Sequence, residues 1–175
     1  GAYRCAKAQI RMKSALGDFD SISLQQKEIV KQYTQEMIVY NPIKDDTDCV
    51  AAINWALSNS YDEILVLGGL GGRQDHNYAN LRLLKNTKAT IVFKDQKNKI
   101  FCLGPGRYEI SKEEYKYLSL FAQEDSCITI RNVAYPLFDR CLNDSDIYTV
   151  SNEISEDKAV LTIKYGRLMV MQCND

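Results

Sequence analysis

Ile64-Leu65-Val66-Leu67 runs directly into Gly68-Gly69-Leu70-Gly71-Gly72-Arg73-Gln74-Asp75. A continuous apolar run of this kind reads as a strand covered on both faces. The glycines that follow permit a backbone path closed to other residues, and Asp75 supplies a helix-opening signal. Strand, glycine loop and helix in that order confine the chain to architectures in which helices lie against a sheet.

The flanking sequence repeats the pattern. Ser23 with Gln26 has the form of a capping box and predicts a helix through about Tyr33, followed by a strand at Met37-Ile38-Val39-Tyr40. After a polar loop from Asn41 to Asp46, either Asp46 or Thr47 can cap a helix whose Cys49, Ala52, Ile53, Ala56 and Leu57 share one face. Trp55 lies on that helix and is expected in the core rather than as a stacking platform. Downstream of the glycine loop, Asp75 to about Leu84 reads as a helix, and Ala89–Phe93 and Lys99–Leu103 read as strands. The β-α-β-α-β order predicts a parallel sheet. At Leu103-Gly104-Pro105-Gly106 the pattern changes, and a domain boundary is expected there, giving 1–103 and 104–175. Beyond it only strand patterns occur: Tyr117–Phe121, Cys127–Val133, Tyr148–Ser151, and a last pair, Val160–Tyr165 and Arg167–Met171, around Gly166. The expected whole is an α/β domain followed by a smaller antiparallel β-sandwich or barrel.

Bulk charge removes several partner classes. Twenty-two Lys and Arg stand against 23 Asp and Glu, so no positive field recruits nucleic acid or an anionic membrane. The six cysteines form no C-x-x-C and lie far from the lone His76, which argues against zinc. With no signal-peptide core and no membrane-length apolar run, they read as reduced thiols of a cytoplasmic protein.

Three loops carry the candidate chemistry. In Gly17-Asp18-Phe19-Asp20-Ser21 two carboxylates should leave the carboxyl end of a strand, the position where open α/β sheets bind ligands. Acids held close repel one another, and Mg²⁺ relieves that repulsion. The competing reading is a turn with a capping Asp. An EF-hand is excluded because Ile22 and Ser23 stand where its ligand and glycine belong. Asp45-Asp46-Thr47-Asp48 opens the next helix, either as a second acidic cluster on the same rim or as plain capping. In the third loop Gly69, Leu70, Gly71 and Gly72 can bring backbone N–H groups to a phosphate chain, and Arg73 can fork onto phosphate oxygens. Alternatively Arg73 and Asp75 form an ion pair with a cap, and His76 is a hydrogen-bonded first-turn residue. A Walker A loop is excluded for want of Gly-Lys-Ser/Thr.

Taken together, Gly-Asp-Phe-Asp-Ser-Ile, Lys-Asp-Asp-Thr-Asp and Leu-Gly-Gly-Leu-Gly-Gly-Arg-Gln-Asp-His-Asn-Tyr-Ala-Asn closely resemble thiamine pyrophosphokinase. Leu118-Ser119-Leu120-Phe121, Tyr135-Pro136-Leu137 and Val150-Ser151-Asn152-Glu153 are similar to that family's C-terminal domain. The resemblance implies an N-terminal α/β ATP-binding domain, a C-terminal thiamine-binding β-sandwich, a homodimer, and Mg²⁺-dependent transfer of diphosphate from ATP to thiamine with AMP leaving. It implies Asp18, Asp20 and Asp48 as Mg²⁺ ligands, with Asp46 in the outer shell of the catalytic acids. Gly69 to Arg73 would cradle phosphates, Asp75, His76 and Asn80 would fix the loop or the nucleotide, and Ser151 and Asn152 would contact thiamine. A related enzyme acting on a pterin alcohol, or a non-catalytic nucleotide-binding module, would share parts of this pattern. The family's first strand usually ends in Asp-Gly-Gly-Ala, so Gly1-Ala2 is expected to be the end of that motif, with a strand and an acid before it. Met12-Lys13 replaces a common Pro-Asp. Asn132 replaces a common Gly and can take its left-handed backbone, whereas Thr149 replaces one where β-branching forbids it, predicting a differently shaped thiamine loop.

Overall fold

Ser23 does close a capping box: its N–H donates to Gln26 Oε1 (2.9 Å), while its hydroxyl accepts from Gln26 N (3.2 Å). In the computed structural model, which describes residues 1–41, 47–86 and 89–175, this box opens α2. The surrounding unit, Gly1–Tyr61, runs α1 (Ala2–Lys7), β1 (Met12–Gly17), α2 (Leu24–Gln32), β2 (Thr34–Val39) and α3 (Asp48–Ser58). Strands β1 and β2 are parallel, in register from Met12↔Thr34 to Gly17↔Val39, because α2 supplies the crossover that parallel pairing needs. Ala6, Ala15 and Val30 form the buried centre, flanked by Met12, Phe19, Tyr33 and Met37. Trp55 is half-buried and stacks on Tyr61 at 6.3 Å.

The second unit, Asp62–Asp175, runs β3 (Glu63–Leu67), α4 (Gln74–Asn86), β4 (Thr90–Lys94), β5 (Asn98–Leu103), β6 (Gly106–Ser111), β7 (Tyr117–Ala122), β8 (Ser126–Arg131), β9 (Leu137–Leu142), β10 (Lys158–Tyr165) and β11 (Leu168–Cys173). One sheet has the order β3-β4-β5-β11-β7 and the other, wholly antiparallel, β6-β10-β8-β9. Alternate residues of both sheets meet in one apolar cluster: Leu118 and Leu120, Ile128 and Ile130, Leu161 and Ile163, Leu168 and Val170 are all buried. The fold is mixed α/β.

Several sequence expectations need correction. The predicted single parallel sheet is two separate parallel pairs, β1-β2 and β3-β4. Strand β5 turns back antiparallel on β4 because Asp95 Oδ1 closes a tight turn, accepting from Lys97 N (2.8 Å) and Asn98 N (2.7 Å). That hairpin carries β3 and β4 into one sheet with β11 and β7. Strand β3 is not covered on both faces: it lies at the sheet edge with Leu65 and Leu67 exposed. Residues 148–151 are not a strand, since Ser151 takes φ +59° and breaks the extension. Strands β10 and β11 are consecutive yet do not pair, because the chain changes sheets at Gly166. Strands β6 and β9 and helix α1 were not anticipated; β9 hides its alternation behind a bulge against β8 and a left-handed Asp139.

Candidate active site

Three of the four candidate acids interact within the first unit; Asp46, with Asp45, lies outside the described residues. Strand β1 delivers Asp18 just past Gly17, and Asp18 Oδ1 accepts from Asp20 N (3.2 Å) in a local turn. Thr47 caps α3, its hydroxyl accepting from Val50 N (3.3 Å), so Asp48 is the first helical residue and not the cap. A Cβ on Gly17 would sit 3.5 Å from Asp48 Oδ2, so the end of β1 and the start of α3 are in contact. Hydrogen bonding to Asp18, and the negative charges of Asp18 and then Asp48, push the Asp20 carboxyl above its ordinary value. Among the described residues no three His, Cys, Asp or Glu side chains are already arranged to hold a metal. The donor chemistry nevertheless fits Mg²⁺: hard carboxylate oxygens in mutual repulsion, for an ion that commonly takes one or two protein carboxylates and fills its shell with water and phosphate.

In the second unit the glycine loop joins β3 to α4. Gly68, Gly71 and Gly72 have φ of +76°, +91° and +72°, which explains three of its glycines. Gly69 is required by packing, since a Cβ there would come within 2.8 Å of the Phe93 ring and 2.9 Å of Val66 Cγ1. Asn80, buried on the inner side of α4, donates from Nδ2 to Gly69 O (2.7 Å) and anchors the loop to the helix. Leu70 is half-buried. Arg73 grips Asp75 through Nε (3.1 Å) and Nη2 (2.5 Å), both side chains being exposed, and Asp75 Oδ1 also accepts from His76 N (2.9 Å). The pair holds the Asp75 carboxyl below, and the Arg73 guanidinium above, its ordinary value. Both groups are fully exposed and water screens their attraction, so an incoming phosphate competes for Arg73 against a weak partner.

The segment carrying Ser151 and Asn152 lies along β7. Leu118 N donates to Asn152 O (2.7 Å) and Asn152 N to Leu118 O (3.1 Å), while Ser151 N donates to the buried Ser119 hydroxyl (3.1 Å). The Asn152 side chain is engaged by backbone: Oδ1 accepts from Tyr135 N (3.0 Å) and Nδ2 donates to Tyr135 O (2.8 Å). This amide therefore positions Tyr135, whose ring is exposed. Asn132 adopts φ +61°, and Thr149 avoids the left-handed region, donating its hydroxyl to Leu120 O while Ser151 takes the turn at +59°. Sequence reasoning assigned no role to Ser119 or Tyr135; the signal available for Ser119 was a polar residue interrupting the apolar run of β7. Two open, polar cavities of about 500 and 440 Å³ lie elsewhere, over the outer faces of β6, β10 and β8.

A model of the thiamin pyrophosphokinase catalytic domain matches residues 1–99, and a model of the thiamin pyrophosphokinase vitamin B1 binding domain matches residues 107–170. Thiamine pyrophosphokinase of Bacillus subtilis (strain 168) is 33% identical over 181 residues, covering 100% of this chain and 85% of the relative. The crystal structure of Thiamine pyrophosphokinase from Bacillus subtilis superposes with TM-score 0.89 at 30% identity, over 100% of this chain and 84% of that one. A thiamin pyrophosphokinase family protein from Enterococcus faecalis gives 0.86 at 29% identity, over 99% and 85%. With both family domains matched in order along the chain and a full-length relative at this identity, the chain belongs to the thiamin pyrophosphokinase family.

Proposed function

We propose that this chain is a thiamine pyrophosphokinase: the thiamine hydroxyl attacks the β-phosphorus of ATP, AMP leaves, and thiamine diphosphate and a proton are the other products. The observation that carries this reading is the match of both family domains, with the motif residues in interacting clusters. Asp18, Asp20 and Asp48, together with Asp46, are the proposed catalytic acids. The first three would hold Mg²⁺, which when bound would neutralise charge on the triphosphate. An aspartate of this group also orients the attacking hydroxyl. The Gly69–Gly72 backbone and Arg73 bind phosphate oxygens, Asp75 holds Arg73 in place until they arrive, His76 lies beside the nucleotide, and Asn80 keeps the loop in shape. Ser151 and Asn152 form the thiamine side, Asn152 through its hold on Tyr135. Catalysis on this scheme is positioning and charge stabilisation. The division of labour falls near Gly104, with 1–103 an α/β ATP-binding domain and 104–175 a β-sandwich thiamine-binding domain; the family matches to 1–99 and 107–170 support it. A cytoplasmic location fits this role, and among the described residues no helix is long and apolar enough to cross a membrane.

Incubation with ATP, Mg²⁺ and thiamine should yield AMP and thiamine diphosphate in equal amounts on chromatographic separation. ADP with thiamine monophosphate would refute diphosphate transfer, and turnover of a pterin alcohol in place of thiamine would reassign the substrate.

The active form is proposed to be a homodimer. Support comes from large apolar side chains exposed within one stretch of the second unit: Tyr135, Phe138, Ile147, Tyr148 and Val150. Exposed large apolar residues mark interfaces where they gather into one patch. Light scattering at micromolar concentration should give twice the chain mass, and an active monomer would contradict the assignment.

A further inference from the structure

Cys127 and Cys141 stand directly opposite one another on the antiparallel strands β8 and β9. On the other side of β8, Tyr165 of β10 pairs with Cys127, and its hydroxyl reaches Cys141 Sγ at 3.7 Å. The tyrosine thus lies across the Cys127 thiol, which is buried although it faces outward, while Cys141 stays exposed.

We propose that Cys127 and Cys141 form a dithiol site that a low-molecular-weight disulfide oxidises reversibly to a cross-strand disulfide. Opposite residues of an antiparallel pair have Cα atoms roughly 4.5–5.5 Å apart, inside the range a disulfide spans. The exposed Cys141 attacks first, as thiolate, on one sulfur of the reagent. That S–S bond breaks, one reagent thiol leaves with a proton, and a mixed disulfide remains on Cys141. Cys127 then gives up its proton and attacks the Cys141 sulfur, releasing the second reagent thiol. The two cysteines lose two electrons and two protons, and the reagent disulfide gains both as two thiols. Burial and the neighbouring Cys141 hold the Cys127 thiol above its ordinary value, consistent with its acting second and at short range. Burial likewise raises Cys49 and Cys173, and pushes Cys102 up to about 11, so these thiols compete poorly. Opposite Cβ atoms sit roughly 4.5–5.5 Å apart, against a disulfide mean of about 3.8 Å, so the strands must contract and the bond is readily reduced.

The test is treatment of the whole protein with glutathione disulfide, followed by alkylation, intact mass and peptide mapping. The expected result is loss of two hydrogens, a fall in alkylatable thiols from six to four, one linked peptide pair containing Cys127 and Cys141, and restoration of all six by dithiothreitol. In Cys127→Ser the glutathione adduct should accumulate on Cys141. A persistent adduct on Cys141 in the parent protein, a link between other cysteines, or no loss of thiols would each overturn the proposal. Mapping of the parent protein decides the matter even if the variant folds poorly.

Discussion

Asp18→Asn, Asp20→Asn and Asp48→Asn should each lower turnover by on the order of a hundredfold or more while leaving the fold intact. The structure separates this outcome from a capping role. Thr47 caps α3, so Asp48 is not needed there; Asp18 closes its turn through one acceptor oxygen, which asparagine retains. What asparagine removes is charge. Asp20 holds its proton to higher pH in the folded state than in the unfolded chain, because Asp18 and Asp48 oppose its ionisation. Its contribution to stability is therefore present at low pH and lost as pH rises through the folded value, so at neutral pH the metal-free protein carries the repulsion. Asp20→Asn should accordingly melt at or above the parental temperature in chelator, a sign that also distinguishes charge removal from unfolding as the cause of lost activity. Partial rescue at high Mg²⁺ is expected where affinity rather than geometry is lost. Full turnover in all three variants would return the acids to turn and helix-terminus duty.

Features written within a few residues were legible from the sequence. The Ser23/Gln26 box, a helix cap at Asp46 or Thr47, the glycine loop and the left-handed Asn132 each follow from local chemistry; the box, the loop and Asn132 are present, and Thr47 is the cap. Sheet partnership was less accessible, because period-2 alternation says which face is apolar but not which strand lies alongside. One clue was available: the link from β4 to β5 is too short for a parallel crossover, which needs a dozen or more residues, so an antiparallel return was implied by length alone.

The candidate site divides in the same way. The Asp18–Asp20 pair and the glycine loop are each compact in sequence and could be read locally, whereas the meeting of Asp48 with the end of β1 follows from strand and helix order rather than from nearness in sequence. The tie of Asn152 to the Tyr135 backbone spans 17 residues, and Ser119 meets Ser151 across 32. No local pattern encodes such pairs. Nor did periodicity anticipate that Ser151, a residue with a Cβ, would take the left-handed turn while Thr149 two residues earlier stayed regular. β-branching explains why the two did not exchange roles.

Gly166→Ala should be among the most destabilising small substitutions in the second unit, costing roughly 3 kcal/mol or more. Gly166 lies where the chain leaves β10 in one sheet and enters β11 in the other, with φ +87°. A Cβ there would fall 2.1 Å from Ser126 Oγ, 2.5 Å from Asp125 O and 2.6 Å from Ser126 Cα. Two of those atoms are backbone, and the third is fixed: Ser126 is fully buried, its hydroxyl donates to Glu124 O (2.7 Å) and accepts from Arg167 N (3.2 Å). Relief would require moving the start of β8 or the turn itself, and both strands that follow, β8 and β11, feed the shared apolar cluster. Backbone strain and overpacking therefore act together, each worth about 1–3 kcal/mol. Gly104→Ala is the matched control, because a Cβ at Gly104 meets nothing within 4 Å and needs no left-handed backbone; it should change stability by less than about 1 kcal/mol. Urea denaturation of the two variants beside the parent checks the contrast. Equal midpoints would mean that the two sheets tolerate a shift at Gly166, and would remove the corner from the list of features that specify this fold.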